Sequence, residues 1–563
     1  MDRRSFLKAP LPVMSEPVNN PPVKNKYANK KLPRHFKSGA SLGLNPYSGP
    51  WELDEARHLL NRTMFGCTKA QLELALSQGM NATVAQLLTA VAVPAPPLNG
   101  YYNEGADPNC PAGETWVDKA YNSAIDFMRA QSMKDWWLDL MLQQGISITE
   151  KMTLFLSNLV PIQFYGIPDS RMSYDYLKLL RQNALGNYKT LLRAVTIHPA
   201  MLVYLNGYKN QRNKPDENYA RELQELFTVG KGPDSAYTEE DVKQAARVLT
   251  GYTIDLATLQ YQFVPTKHDP GFKQFSAFYG NTLINGQSGT AGESETDELL
   301  NMIFAQPEVA KHIVRALYRW FVYYVIDEEV ETNIITPLAD QFRNGGYELA
   351  PVLETLLKSE HFYDDYNRGC LIKSPMDYIA GMVKNFNINL PDNSDVAKHY
   401  YGRRALNGFG VLLAQDIGDP PNVAGWEAYR LNPVYHEAWI NSVTVSYRNQ
   451  LFEVLLSPNG YNFKGVKIKI DYLAFTQTVA DAENPNLLIA NLVDKCLGYS
   501  ISATQVAGLK SILLSGQSAD HYWTDAWLNY VGSPGNATYK AIVDSRLYSF
   551  YRYFLSLAES QLI

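Results

Sequence analysis

The chain has 563 residues, 46% of them hydrophobic and 19% charged, with a formal net charge of -6. That composition excludes disordered and coiled-coil chains and leaves material for a large core, in one big helical domain with extensions or in two or three ordinary domains. Apart from the basic segment KNKYANKKLPRHFK at 24–37 there is no Lys/Arg stripe, so nucleic acid is not expected as a partner.

The opening MDRRSFLKAP places Arg3, Arg4, Phe6, Leu7 and Lys8 in the order of a twin-arginine export signal. The apolar stretch of roughly 7 to 15 residues that should follow is missing. Pro10, Pro12, Glu16, Pro17, Pro21 and Pro22 interrupt it, so residues 1–45 read as a degenerate signal or a flexible Pro-rich arm. Helical patterns dominate from about residue 52. DEARHLLNRTMFG predicts a helix opening on Asp54 and closing at Gly66, and a Pro/Gly/Asn-rich loop follows at 92–115. Apolar residues then return every three or four positions over 118–145, 148–163, 170–187 and 189–206. Residues 252–296 break this period with short β-favouring runs and many turn residues. Helices resume at 296–326, 332–345, 349–358 and 373–386, and past 460 the alternating run GVKIKIDY precedes three or four more.

The expected fold class is mainly α: a large multi-helix bundle with a small β-hairpin or irregular insertion near 252–296. Its expected parts are the arm (1–45), a helical domain (46–455) and a C-terminal helical extension (456–563) packing on it. No run approaches the roughly 18 to 20 apolar residues of a membrane span. The best candidate, IVRALYRWFVYYVIDEE, carries Arg315 and Arg319 and reads as a core helix. Cys67, Cys110, Cys370 and Cys496 lack any zinc-type spacing, which argues against a metal site and leaves disulfides open.

Candidate chemistry centres on ENYARELQELF at 217–227. At 100° per residue, Glu217, Asn218, Arg221, Glu222, Gln224 and Glu225 share one arc, opposite Tyr219, Ala220, Leu223, Leu226 and Phe227. The i, i+4 pairs Glu217–Arg221 and Arg221–Glu225 contribute only about 0.3 to 0.5 kcal/mol each in water. Nearby, YTEEDVKQAARVLTGY opens with Thr238 and Asp241 in a capping-box pattern and ends near Arg247. HDPGFK then brings His268, Asp269 and Lys273 around a Pro-Gly turn, a base, an acid and a cation on one loop. Further on, a loop carrying Trp426, His436 and Trp439 suits a platform for a sugar or peptide, or a loop pinned to the core by its indoles.

In this order, RHLLNRTMFG, DENYARELQELFTVG, YTEEDVKQAARVLTGY, HDPGFK, KSPMDYI and PPNVAGW resemble the bacterial family catalogued as domain of unknown function 1800, over roughly residues 50–450. The resemblance implies twin-arginine export and a protein partner from a second exported family, domain of unknown function 1501. Relatives commonly carry Trp-His-Asn-His on an early helix; here that segment reads Leu156, Ser157, Asn158, Leu159, so both histidines are absent.

The expectation is therefore an exported, periplasmic or cell-surface helical protein, with a cytoplasmic location as the alternative, that binds a protein partner or surface polymer and has a partly degraded family site. The alternative is an enzyme acting on a surface or extracellular polymer. Its catalytic candidates are Glu217, Arg221, Glu222, His268 and Asp269, and its ligand-binding candidates Asn218, Glu225, Lys273, Trp426, His436 and Trp439. A third arrangement buries Arg221 and Glu222 as scaffold linked to Arg62 and Arg247. The motifs identify no cofactor.

Overall fold

In the computed structural model, residues 43–563 are described except Pro233, Gly498 and Tyr499. The twin-arginine-like opening, the Pro-rich stretch and the basic segment at 24–37 lie outside the described residues. The structure is mainly α-helical, with small two-stranded antiparallel sheets.

Helix boundaries follow local backbone chemistry. The first helix, Leu53–Thr63, is capped by Glu52, whose N–H is held by the Glu55 carboxylate at 3.0 Å. It ends three residues before the expected Gly66, because Met64 is already extended. Gly66, at φ +67°, instead lets the chain pass the Gly381 backbone, where an added Cβ would come within 2.9 Å. The helix expected over 189–206 is two, Tyr188–Ile197 and Pro199–Tyr204, and that over 296–326 is also two, Glu295–Phe304 and Pro307–Phe321. In both, a proline without an N–H cannot continue the ladder but suits a first turn.

The insertion contains two hairpins: Tyr252–Asp255 pairs with Gln260–Phe263, and Lys273–Gln274 with Leu283–Ile284. The alternating run after 460 forms another, Tyr461–Phe463 with Val466–Ile468, across Lys464 and Gly465 at φ +49° and +83°. Beyond it come five helices rather than three or four: Tyr472–Gln477, Pro485–Cys496, Ala503–Leu513, His521–Gly532 and Ala537–Ser556. The last residues return to 371–373, where Leu562 bridges Ile372 and the Lys373 ammonium donates to the Ser560 carbonyl at 2.9 Å.

Buried ion pairs tie distant segments together. The helices Asp126–Gln143 and Val396–Leu412 pack along each other, with Arg404 donating to Asp135 at 2.9 Å and Arg403 to Asp139 at 2.7 Å. Among the described residues no helix is long and apolar enough to cross a membrane. In the apolar Pro307–Phe321 helix, Arg315 is held by Glu308 and by Glu331 (2.7 Å).

The 92–115 loop is pinned by a fully buried pair, Arg129 donating to Asp107 at 2.9 and 3.1 Å, with the Tyr101 hydroxyl on the same carboxylate at 2.9 Å. Asp107→Asn leaves the guanidinium without its counter-charge and should cost about 3 to 5 kcal/mol. The expected observation is a large fall in melting temperature, wild type and variant compared at one scan rate. A fall equivalent to less than about 1 kcal/mol would show that Arg129 finds another partner.

Candidate functional site

The acidic motif forms the helix Asn218–Glu225. Asp216 accepts the Asn218 N–H at 3.0 Å and Glu217 stands at the cap position. Tyr219, Ala220 and Leu223 face the core as expected. Gln224 does too, contrary to its expected place on the polar arc: its amide donates to the Ala220 carbonyl at 3.1 Å and accepts the Tyr279 hydroxyl at 2.8 Å. Glu225 turns to Lys231 instead of Arg221. Arg221 forks onto Glu239, at 2.9 and 2.7 Å, and reaches Glu217 at 3.2 Å. The Glu239 and Glu217 carboxylates hold its guanidinium above its ordinary pKa. Neither Arg221 nor Glu222 is buried, and neither meets Arg62 or Arg247, so the scaffold arrangement does not form.

HDPGFK sends His268 and Lys273 into the interior while Pro270 and Phe272 stay exposed. His268 lies between the Thr250 carbonyl (3.0 Å to Nδ1) and the Glu295 carboxylate (3.1 Å to Nε2). Glu295 also accepts the Lys273 ammonium and, at 2.6 Å, the Gln287 N–H. All three side chains are at most 2% exposed. Burial alone would raise the Glu295 carboxyl, but the hydrogen bonds from His268 and Lys273 bring it below the usual range. Burial pushes the Lys273 ammonium down. Asp269 receives Arg247 at 2.7 and 3.2 Å and the Gly271 N–H at 2.8 Å.

The two motif sites are separate. The helix Glu239–Val248, started by the expected Thr238/Asp241 box, carries Glu239 at one end and Arg247 near the other. Eight residues at 1.5 Å each put the Arg221 and Asp269 pairs about 12 Å apart. Glu217, Glu222 and His268 therefore do not converge.

A third place gathers residues from several motifs. Trp426 and Trp439 are 3% exposed, so neither indole is a surface platform. The Trp426 N–H donates to Asn158 Oδ1 at 2.9 Å, with Gly425 (φ +76°) packed so closely that a Cβ would strike Asn158 at 2.3 Å. Beside this loop lies a cavity of about 40 Å³. Its lining includes Arg62 of RHLLNRTMFG, Ser374 and Asp377 of KSPMDYI, His436, Trp439, Lys151, Arg319, Trp320 and Tyr429. Lys151 pairs with Asp377, whose other oxygen accepts the Ser374 hydroxyl at 2.8 Å. Arg62 gives one Nη to the Asn367 carbonyl at 2.7 Å and to Cys370 at 3.1 Å. His436 Nδ1 accepts the Ile372 N–H at 3.0 Å, which leaves the ring proton on Nε2. All four thiols are unpaired.

The family model described as protein of unknown function (DUF1800) matches residues 58–539. The chain belongs to this family. No curated protein and no solved structure matches it. In this DUF1800 chain the positions of the two histidines common in relatives are not on the cavity wall. The Ser157 hydroxyl turns back to the Leu154 carbonyl at 2.9 Å, and Leu159 is half-buried. Among the described residues no group of three or more His, Cys, Asp or Glu side chains is arranged to hold a metal ion. The motifs point to His436 and Trp439 but not, as site residues, to Lys151, Asp377, Arg319 or Trp320. Asp377 lies within KSPMDYI; Lys151, Arg319 and Trp320 lie outside every motif.

Two carboxamide variants separate scaffold from surface. Glu295→Gln leaves Lys273 buried without its anion and should cost about 3 to 5 kcal/mol. The Glu222 carboxylate has no hydrogen bond or ion pair among the described residues, and burial raises its pKa. A raised folded-state pKa means that its stabilising contribution is complete below the unfolded pKa and lost as pH rises through the folded one. At neutral pH Glu222→Gln should therefore leave the melting temperature unchanged or raise it by about 1 to 3 °C; a clear fall would reveal a structural partner.

Burial, reinforced by Arg62, lowers the His436 imidazole to about 4. A depressed pKa gives stability that is full above about pH 6.5 and is lost as pH falls toward 4, about 3 kcal/mol in all. In denaturant titrations from pH 7 to 4, His436→Gln should flatten that loss. Superimposable profiles would show that the folded site accepts the imidazolium.

Proposed function

We propose that this DUF1800 chain is an exported helical envelope protein that binds a protein partner or a surface polymer rather than turning one over. The observation that carries this is the engagement of the candidate acid–base groups by internal partners. Asp269 is taken by Arg247, His268 lies buried between Thr250 and Glu295, and Arg221 is shared by Glu217 and Glu239. A general base needs an accessible lone pair within reach of a substrate proton, and His268 at 2% exposure offers none. Export rests on the resemblance and on MDRRSFLK, and the partner class it suggests is domain of unknown function 1501.

One observation favours the enzymatic alternative: Glu222 is half-buried, unpaired among the described residues and raised in pKa by that burial, as a general acid would be. The discriminating experiment combines fractionation of the native cells with gel filtration of the purified full chain and a family 1501 protein from the same cells. We expect envelope localisation and stoichiometric co-elution that Glu222→Gln leaves intact. Recovery in the cytoplasm would overturn the export assignment. Polymer cleavage by wild type that falls at least about 100-fold in Glu222→Gln would overturn the binding role.

A further inference from the structure

We propose that the cavity between Arg62, Arg319, Trp320 and His436 is a binding site for a small oxyanionic group, a carboxylate or a phosphate. This deepens the binding role above by naming the chemistry of the group bound.

The unsatisfied side-chain atoms of the lining are all of one kind. Arg62 Nε and Nη1, Arg319 Nε, Trp320 Nε1 and His436 Nε2 are buried and have no hydrogen-bond partner among the described residues. Every one is a donor, since His436 Nδ1 already accepts the Ile372 N–H and so places the ring proton on Nε2. No lining side chain contributes an unpartnered buried acceptor. A water bridging such a set would have to direct its own two hydrogens at groups that only donate. An oxyanion, which only accepts, matches them.

Charge points the same way. Among its side chains the lining carries three cations, Arg62, Lys151 and Arg319, against one carboxylate, Asp377, and the backbone of Ile563 completes the wall. Lys151 and Asp377 neutralise each other and Ser374 completes the pair, so the surplus resides on the two guanidiniums. Arg62 is 2% exposed and contributes only one nitrogen to the Asn367 carbonyl and Cys370. Burial lowers the Arg319 pKa, and its guanidinium lies 5.4 Å over the Tyr435 ring.

Size and access are compatible. A water needs roughly 10 to 15 Å³ on this measure, so about 40 Å³ offers some three water-sized places. That suits one carboxylate or phosphate and excludes a sugar ring. Arg319, Tyr429 and His436 are only partly buried, so the cavity is reached from solvent beside them. The aromatic walls, including Trp320 stacked on Tyr429 at 3.8 Å, lower the local dielectric and strengthen the attraction.

The test is calorimetric titration of the full chain with sodium phosphate and with sodium acetate, ionic strength held constant with chloride. We expect one saturable site with Kd at or below about 1 mM for one of the two anions. Trp320→Phe, which removes one N–H while keeping a ring against Tyr429, should weaken it about tenfold. Tighter phosphate binding would identify a phosphoryl source and tighter acetate binding a carboxylate source. Arg62→Gln should abolish binding, but Arg62 also holds the Asn367 carbonyl, so Trp320→Phe is decisive if that variant does not fold. No saturable binding up to about 10 mM of either anion, or equal affinity in wild type and Trp320→Phe, would overturn the assignment. Co-elution with the partner but no anion binding would overturn this site alone; anion binding without co-elution would overturn the partner assignment alone.

Discussion

An ammonium inside a helical core is tolerable only against a carboxylate that is itself hydrogen-bonded, and the Lys151–Asp377 pair meets that condition. Lys151 stands on Thr149–Leu159, Asp377 on Pro375–Asn385, and their side chains are 5% and 9% exposed. Ser374 caps the second helix by accepting the Asp377 N–H at 3.2 Å and donates its hydroxyl to the same carboxylate. Cap, ion pair and helix contact thus share one residue. The second helix also carries Gly381, against which Gly66 of the RHLLNRTMFG segment rests, so the same element positions Arg62 at the cavity.

The acidic helix 218–225 follows a different rule. Its charges are half-exposed and meet partners across short gaps, Arg221 to Glu239 and Glu225 to Lys231. Such pairs orient neighbouring helices but are weak in water. The anchoring comes from the opposite face, where buried Gln224 ties the helix to Tyr279 of the insertion. A motif with four charged residues, Glu217, Arg221, Glu222 and Glu225, is therefore attached to the fold mainly by its uncharged amide and apolar side chains.

The mainly helical class and the hairpin in 252–263 were legible because both depend on periods of a few residues. Boundaries were less so where one atom decides: Pro199 and Pro307 split helices that periodicity joins. Partners separated along the chain were not legible at all. His268 and Lys273 do come together, but through Glu295, more than twenty residues on. Arg62 and His436, on segments far apart in the sequence, share a cavity. A helical wheel places a charge on a face; it contains nothing about what that face meets, which is why Gln224 was assigned to solvent.

Unpartnered buried nitrogens elsewhere set the standard for reading the cavity. Arg57 also has Nε and Nη1 without hydrogen-bond partners, so a single unsatisfied guanidinium carries no functional meaning. Each such group costs about 1 to 3 kcal/mol when nothing accepts its hydrogen, and a large chain absorbs an isolated case. What differs around Trp320 is convergence: four side chains from three parts of the chain line one space and leave only donors unpartnered, with cationic side chains in excess. Random imperfections of packing would leave donors and acceptors mixed, and a neutral pair such as Lys151–Asp377 shows how cheaply the fold compensates charge when it can. A one-signed set around one cavity is the arrangement expected of a surface that meets its acceptor from outside the chain.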